Sequence, residues 1–276
     1  MDPIAFQLGP LVFRWYGLLI MIGALAGAYV ASVEARRHGD DPDHVWNALL
    51  VCLILGLIGA RLYHVLSSPQ GSLVSFRYYL SHPSEIYAIW QGGLGIFGAV
   101  AGGALGLLLY TRYYKLPFLH WLDIGAQGLI LGQAFGRWGN FFNQELYGYP
   151  TNLPWGIPID PAHRLPAFAS LPPSTRFHPS FLYESLWDLL AFVVLMYIAY
   201  RFAERLREGD IFLLYLILYP LGRILVELQR PDAWTIGGIP TAQIVSGTLM
   251  LLAAIAFVWR HRNSQENDPV GTGAAN

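Results

Sequence analysis

Hydrophobic residues run along this chain in long blocks rather than in alternation or in heptads. A helix that crosses a bilayer needs roughly 20 apolar residues. Seven blocks approach that length: about 15–33, 45–66, 88–110, 119–138, 182–200, 210–228 and 240–259. The pattern predicts an all-α integral membrane protein, a bundle of about seven transmembrane helices. The fourth and sixth blocks are the least regular, because each runs into polar residues at its C-terminal end. Between blocks, residues 67–87 carry Phe76, Tyr78 and Tyr79, which suit a membrane interface. Residues 149–178 hold Pro150, Pro154, Pro158, Pro161, Pro166, Pro172 and Pro173 and read as an irregular segment, neither strand nor helix. Residues 1–262 are expected to form a single transmembrane helical domain, with 67–87 and 149–178 as external loops. The small, polar stretch 263–276 is expected to be a flexible cytoplasmic tail.

Composition agrees with a membrane class. Of 276 residues, 54% are hydrophobic and 13% charged, against about 25% charged in an ordinary soluble domain. The net charge of −1 gives no basic field for nucleic acid. Basic residues fall unevenly between the blocks: Arg36, Arg37, Arg112, Lys115, Arg201, Arg205, Arg207, Arg260 and Arg262 on one side, and Arg14, Arg77, Arg164, Arg176 and Arg230 on the other. The richer side is cytoplasmic by the positive-inside rule, so the N-terminus is expected outside and the C-terminus in the cytoplasm. Asp2 precedes any basic residue, unlike the positive start of a cleavable signal peptide. Cys52, the single cysteine, lies inside an apolar block and reads as a small buried hydrophobe.

Three polar constellations interrupt the apolar pattern. Gly136-Arg137-Trp138-Gly139-Asn140-Phe141-Phe142-Asn143-Gln144-Glu145-Leu146-Tyr147-Gly148 closes the fourth block. If helical, it places Arg137, Asn140, Phe141 and Gln144 on one face, a face suited to an anionic headgroup. The sixth block ends Gly222-Arg223-Ile224-Leu225-Val226-Glu227-Leu228-Gln229-Arg230-Pro231-Asp232. Arg223, Glu227 and Arg230 share a face there, with two cations to one carboxylate. A surplus cation at membrane depth needs a partner from elsewhere. His178-Pro179-Ser180 opens the fifth block, which carries Glu184 and Asp188 on one face. Elsewhere, Arg61 and His64 interrupt the second block and suit a structural pair as well as a ligand. Trp15-Tyr16-Gly17 opens the first, where an interfacial belt is the default and a cavity-lining hydroxyl the alternative. Gly93-Leu-Gly95-Ile-Phe-Gly98 matches a dinucleotide-binding pattern only by chance, since no strand precedes it. Gly98, Gly102 and Gly106 instead have the spacing of close helix packing.

Absences narrow the chemistry. Lys115 is the only lysine and lies between blocks, so no Schiff-base lysine sits in a span. There is no H-E-x-x-H and no G-x-S-x-G. The histidines stand singly, so no metal site and no cofactor is indicated. The residues themselves leave two classes open: an enzyme acting on an anionic lipid, and a non-enzymatic membrane transporter or lipid-handling protein.

The thirteen residues 136–148 closely resemble the signature of the prolipoprotein diacylglyceryl transferases. The similarity extends in order to Trp15-Tyr16-Gly17, Gly59-x-Arg61, Trp90-x-Gly92-Gly93, Asp123, His178-Pro179-Ser180-x-x-Tyr183-Glu184, Arg223-x-x-x-Glu227-x-x-Arg230-Pro231-Asp232 and Gln243. The resemblance implies a multi-pass enzyme of the bacterial cytoplasmic membrane. Such an enzyme moves the diacylglyceryl group of phosphatidylglycerol onto the lipobox cysteine thiol of a prolipoprotein and releases glycerol phosphate. It implies that Arg137 and Arg223 are the essential arginines. Tyr16, Asn140, Glu145, Gly148, Glu227 and Arg230 match further implicated positions. Asn143 and Arg61 join Arg137, Asn140, Tyr16, Gly148 and Arg230 as expected substrate-binding residues. The thiol proton acceptor stays open among Arg223, Glu145, Glu227 and His178. Phe97 stands where some members carry a histidine, so a histidine base there is not available to this chain.

Overall fold

The computed structural model describes residues 2–9, 11–67, 75–233 and 235–265. A hairpin of β1 (Ile4–Leu8) and β2 (Leu11–Arg14) opens the chain. The helices are α1 (Trp15–His38), α2 (Asp43–Ser67), the short α3 (Phe76–Ser81), α4 (Ile96–Tyr114), α5 (Phe118–Asn143), α6 (Ser180–Arg201), α7 (Asp210–Glu227) and α8 (Thr241–Gln265). Five of them, α1, α2, α4, α6 and α8 as far as Arg262, are long and apolar enough to cross a membrane. α5 and α7 fall outside that group and correspond to the two blocks that end in polar residues. Residues 68–74 of the first expected loop and 266–276 of the expected tail lie outside the described residues.

The third predicted block is shifted. Its helix begins at Ile96, not near 88, because Gly92 (φ +87°) and Gly93 (φ +72°) take left-handed backbone that no α-helix can contain. At the other end Lys115 (φ +57°) caps α4 in the left-handed region, its N–H bonded to the carbonyls of Thr111 and Arg112. Pro117 follows, and α5 begins at Phe118.

The chain divides into two compact units: residues up to Val30 together with those from Leu122 onward, and residues Ala31–Trp121. In the second unit α2 and α4 meet along glycines. A Cβ on Gly98 would strike Gly59, and one on Gly102 would strike Leu55. The small-residue spacing is therefore a packing seam. Arg61 is buried here, its guanidinium bonded to the carbonyls of Glu85 (2.5 Å), Ile86 (2.8 Å), Gly92 (2.7 Å) and Gly93 (3.1 Å). It also lies 5.4 Å over the ring of Tyr79, which is buried rather than interfacial as expected.

In the first unit the same device joins α1 to α5: Gly23 and Gly27 face Gly132 and Gly128. Ala126 and Ile130 of α5 pack with Ala191, Leu195 and Ala199 of α6 and with Ile211 and Tyr215 of α7 to form a shared core. Asp123 of α5 caps α7, accepting from the N–H groups of Gly209 (2.5 Å) and Phe212 (2.8 Å). A carboxylate there complements the positive end of the helix. Residues 149–178 contain structure that the proline count hid. A three-stranded antiparallel sheet has the order β3 (Pro150–Thr151), β5 (Arg176–Phe177), β4 (Ile157–Pro158). Beneath it Tyr147, Ile159 and Phe177 form a small core. Buried Arg164 ties the loops together through the carbonyls of Ile159, Leu171, Pro172 and Pro173.

Candidate active site

Three helices deliver one buried ionic cluster. α5 supplies Arg137, α6 supplies Glu184 and Asp188, and α7 supplies Tyr219, Arg223 and Glu227. Both expected arginines reach the same carboxylate: Arg137 Nε lies 2.7 Å from Glu184 Oε2, and Arg223 Nη1 lies 2.6 Å from Glu184 Oε1. Arg223 Nη2 continues to Glu227 Oε2 at 2.7 Å, and Arg230 Nη1 approaches the same oxygen at 3.4 Å. Arg230 also chelates Asp232 at 3.1 and 3.0 Å. The side chains of Glu184 and Glu227 are only 5% and 4% exposed. Ions this buried are costly unless paired, which explains the density of partners.

The cluster corrects the expected charge surplus. Three arginines meet Glu184, Glu227 and Asp232, so the cations are matched by carboxylates from two further parts of the chain. Free donors nevertheless remain. Arg137 uses Nε on Glu184 and Nη2 on the Tyr219 hydroxyl (3.2 Å); its Nη1 has no acceptor among the described residues. The Arg137–Glu184 contact has ion-pair distance without hydrogen-bond alignment, so Glu184 Oε2 is left without an aligned donor, as is buried Asp188 Oδ2. Buried polar atoms without an aligned hydrogen-bond partner are rare in folded proteins.

Polar bonds between helices hold the frame. Trp138 Nε1 donates to Ser185 Oγ (3.2 Å), which donates to the Ala134 carbonyl (3.0 Å), fixing α5 on α6. Trp187 Nε1 donates to the Leu218 carbonyl (2.8 Å), fixing α6 on α7. Gly222 leaves room for that indole, since a Cβ there would run into it. Gln133 Nε2 donates to the Tyr215 hydroxyl (3.1 Å), closing α5 onto α7.

The end of α5 forms a second polar group. Asn140 and Asn143 both donate to Glu145 Oε1, at 2.9 and 3.2 Å. The helix stops at Asn143; Gln144 (φ +52°) and Leu146 (φ +56°) turn the chain. Gln144 therefore leaves the face expected to carry it and donates instead to Asp160 (2.5 Å), a bond that holds the Asp160 carboxyl below its ordinary pKa. Gly148 donates its N–H to the His178 carbonyl (2.9 Å), and a Cβ there would press on His178 and the Gln229 carbonyl. Tyr16 lies against Gly139, where a Cβ would meet its ring, and Trp15 stacks on Phe142 with centroids 4.8 Å apart. His178 Nδ1 pairs with the Tyr183 hydroxyl (3.0 Å), which accepts from Trp155 Nε1 (2.8 Å).

A family model described as prolipoprotein diacylglyceryl transferase matches residues 3–259. The chain belongs to the prolipoprotein diacylglyceryl transferase family. It is 40% identical over 278 residues to the phosphatidylglycerol–prolipoprotein diacylglyceryl transferase of Chloroflexus aggregans, covering 94% of this chain and 89% of the relative. The protein of that name from Trichormus variabilis is 41% identical over 261 residues, 93% and 89% of the two chains. That from Parasynechococcus marenigrum is 39% identical over 282 residues, 98% and 97%.

Within this member of the diacylglyceryl transferase family, the site joins most of the expected residues but not all. Arg137, Arg223, Glu227 and Arg230 share the ionic cluster, and Asn140, Asn143 and Glu145 share the second group. Arg61 belongs to the other compact unit and spends its guanidinium on loop carbonyls, a loop-holding arrangement. Arg230 lies beyond the last turn of α7 and reaches back to Glu227 from outside the helix. Glu184 and Tyr219 carry contacts to the arginines that the candidate set omitted. Glu184 and Asp188 gave a signal in the sequence, two carboxylates four apart in an apolar block. Tyr219 gave none.

Proposed function

We propose that the chain transfers the diacylglyceryl group of phosphatidylglycerol to the lipobox cysteine thiol of a prolipoprotein, the first step of bacterial lipoprotein maturation. The observation that carries this reading is the convergence of Arg137 and Arg223 on Glu184 in a buried cluster of a chain of this family. The nucleophile is the peptide's own sulfur, so no catalytic serine or cysteine is required of the enzyme. The sulfur attacks the glyceryl carbon bonded to the phosphate oxygen. The S–C bond forms as the C–O bond breaks, and the electron pair leaves on glycerol phosphate. Arg137 Nη1 supplies a donor for that phosphate, and Arg223 adds fixed charge beside it. Planar guanidinium forks suit phosphate oxygens, and fixed charge aimed at developing charge is usually the largest catalytic term. The same field favours the thiolate over a thiol of ordinary pKa about 8.5. Arg223 is held between Glu184 and Glu227, and a guanidinium offers donors only, so it is set aside as proton acceptor. The acceptor then lies among Glu145, Glu227 and His178. Asn140, Asn143, Gly148, Tyr16 and Arg230 shape the headgroup and peptide side, and Arg61 holds the loop carbonyls of residues 85–93.

The reading includes seven crossings in the cytoplasmic membrane, α5 and α7 among them, with the N-terminus outside. The test is incubation of the purified protein with phosphatidylglycerol and a lipobox peptide, followed by mass spectrometry of the peptide. A mass gain equal to one diacylglyceryl group is expected. An unmodified peptide, with lipid or anion flux across vesicles, favours a transporter.

A further inference from the structure

An apolar cleft of about 300 Å³ opens where α6, α7 and α8 meet near the α6–α7 connection, lined by Ile198, Phe202, Arg205, Leu206, Leu214, Phe257 and His261. Along α6, Ile198 is fourteen residues from Glu184, about 21 Å by the helical rise, so the cleft is separate from the ionic cluster. We propose that it binds an acyl chain of an anionic phospholipid, whose phosphate is held by Arg201 and Arg205. The inference rests on membrane embedding and not on the transfer reaction.

Charge selects the occupant. Arg205 lines the cleft, and the Arg201 guanidinium lies 5.7 Å over the ring of Phe202, which lines it too. Arg207, Arg260 and His261 at this end are committed elsewhere. Arg207 donates to the Arg260 carbonyl, Arg260 donates to the Glu208 carbonyl (2.5 Å), and His261 Nε2 lies 2.7 Å from buried Asp210. Arg201 and Arg205 have no hydrogen-bonding or ion-pair acceptor among the described residues, so both are available to a phosphate at the rim. The walls offer only hydrocarbon below them, apart from His261, whose ring packs at a tilt against Phe257 (4.7 Å) with its Nε2 turned to Asp210. A cleft with an apolar floor and a rim of two uncommitted guanidiniums matches an acyl chain continued by an anionic head. A neutral apolar ligand would leave the rim unused.

The experiment uses the full chain in phosphatidylcholine vesicles doped with phosphatidic acid carrying a diazirine in one acyl chain. Phosphatidic acid has no glycerol phosphate to release, so labelling is independent of transfer. Photolabelling mapped to Phe202, Leu206, Leu214 or Phe257 is expected. It should fall about thirtyfold with the matching diazirine phosphatidylcholine or in Arg201→Gln/Arg205→Gln, the loss of two basic groups beside an anionic head. Arg201→Lys/Arg205→Lys should keep labelling, and Leu214→Trp, which fills the cleft, should lose it. Equal labelling by the two lipids, labelling unchanged in the glutamine variant, or labels confined to other surfaces would overturn the proposal.

Discussion

Glu184 shows what a single residue contributes at this site. One carboxylate, 5% exposed, restrains two guanidiniums that arrive on different helices. Prepaid orientation of this kind lowers the barrier before any bond changes. Glu184→Gln keeps the volume and removes the charge, so both arginines lose a counterion and their shared register. Transfer is expected to fall about 10²–10³-fold, the scale of losing one aimed electrostatic group, read as kcat in the peptide assay. Glu184→Ala additionally strands the buried cations, at about 3–5 kcal/mol of stability, read by thermal unfolding in detergent. Arg137→Lys tests the fork itself. A lysine cannot hold Glu184, the Tyr219 hydroxyl and a phosphate oxygen in fixed directions. Turnover is expected to drop about a hundredfold, and near-normal turnover would remove phosphate capture by the directed Arg137 fork from the mechanism. The sequence marked Arg137 and Arg223 because charges inside apolar blocks are conspicuous. It marked Glu184 only as one carboxylate of a pair, because an ion pair 39 residues apart in sequence leaves no local pattern. The apparent cation surplus followed from counting a single helix face.

At the scale of elements, block length carried most of the information. Each predicted block contains a helix, since apolar runs of this length have few other ways to satisfy their backbone in lipid. What the blocks could not carry was set by backbone conformation and by contacts distant in sequence. Gly92 and Gly93 at positive φ delayed the start of α4. The small sheet in 149–178 consists of strands two residues long, too short for any periodicity to register. The glycine seam between α1 and α5 was not anticipated, although close packing through Gly98, Gly102 and Gly106 of α4 was, without its partner helix. That seam makes a prediction with an internal control. Gly128 faces the Gly27 backbone so closely that a Cβ would overlap its carbonyl, whereas a Cβ on Gly125, three residues earlier in α5, meets nothing within 4 Å. Gly128→Val should force α1 away from α5 and sharply reduce the folded fraction recovered by size-exclusion chromatography. Gly125→Ala should be neutral or stabilising by up to about 1 kcal/mol, because alanine loses less backbone entropy in a helix. Equal behaviour of the two variants would remove the seam as a determinant of the fold.

For the molecule as a whole, α5 and α7 decide how often the chain crosses the membrane. α7 has 18 residues, about 27 Å of helix, close to the roughly 30 Å of a hydrocarbon core. α5 has 26 residues and is longer than needed. Both carry charge at their C-terminal ends, but Arg137, Arg223 and Glu227 are paired with one another or with Glu184, which removes the main penalty of placing them at depth. Crossing by both puts residues 144–179 outside and 202–209 inside. Five crossings, omitting α5 and α7, would reverse these two segments while leaving the termini on the same sides, so terminal tags cannot tell the cases apart. The single native cysteine makes the decisive measurement simple. In a Cys52→Ser background, Ser174→Cys should react with a membrane-impermeant maleimide on intact cells, and Glu204→Cys should react only after the membrane is opened. The opposite pattern would place Arg201 and Arg205 on the outer face. It would also contradict the positive-inside count, because those arginines belong to the richer set of basic residues.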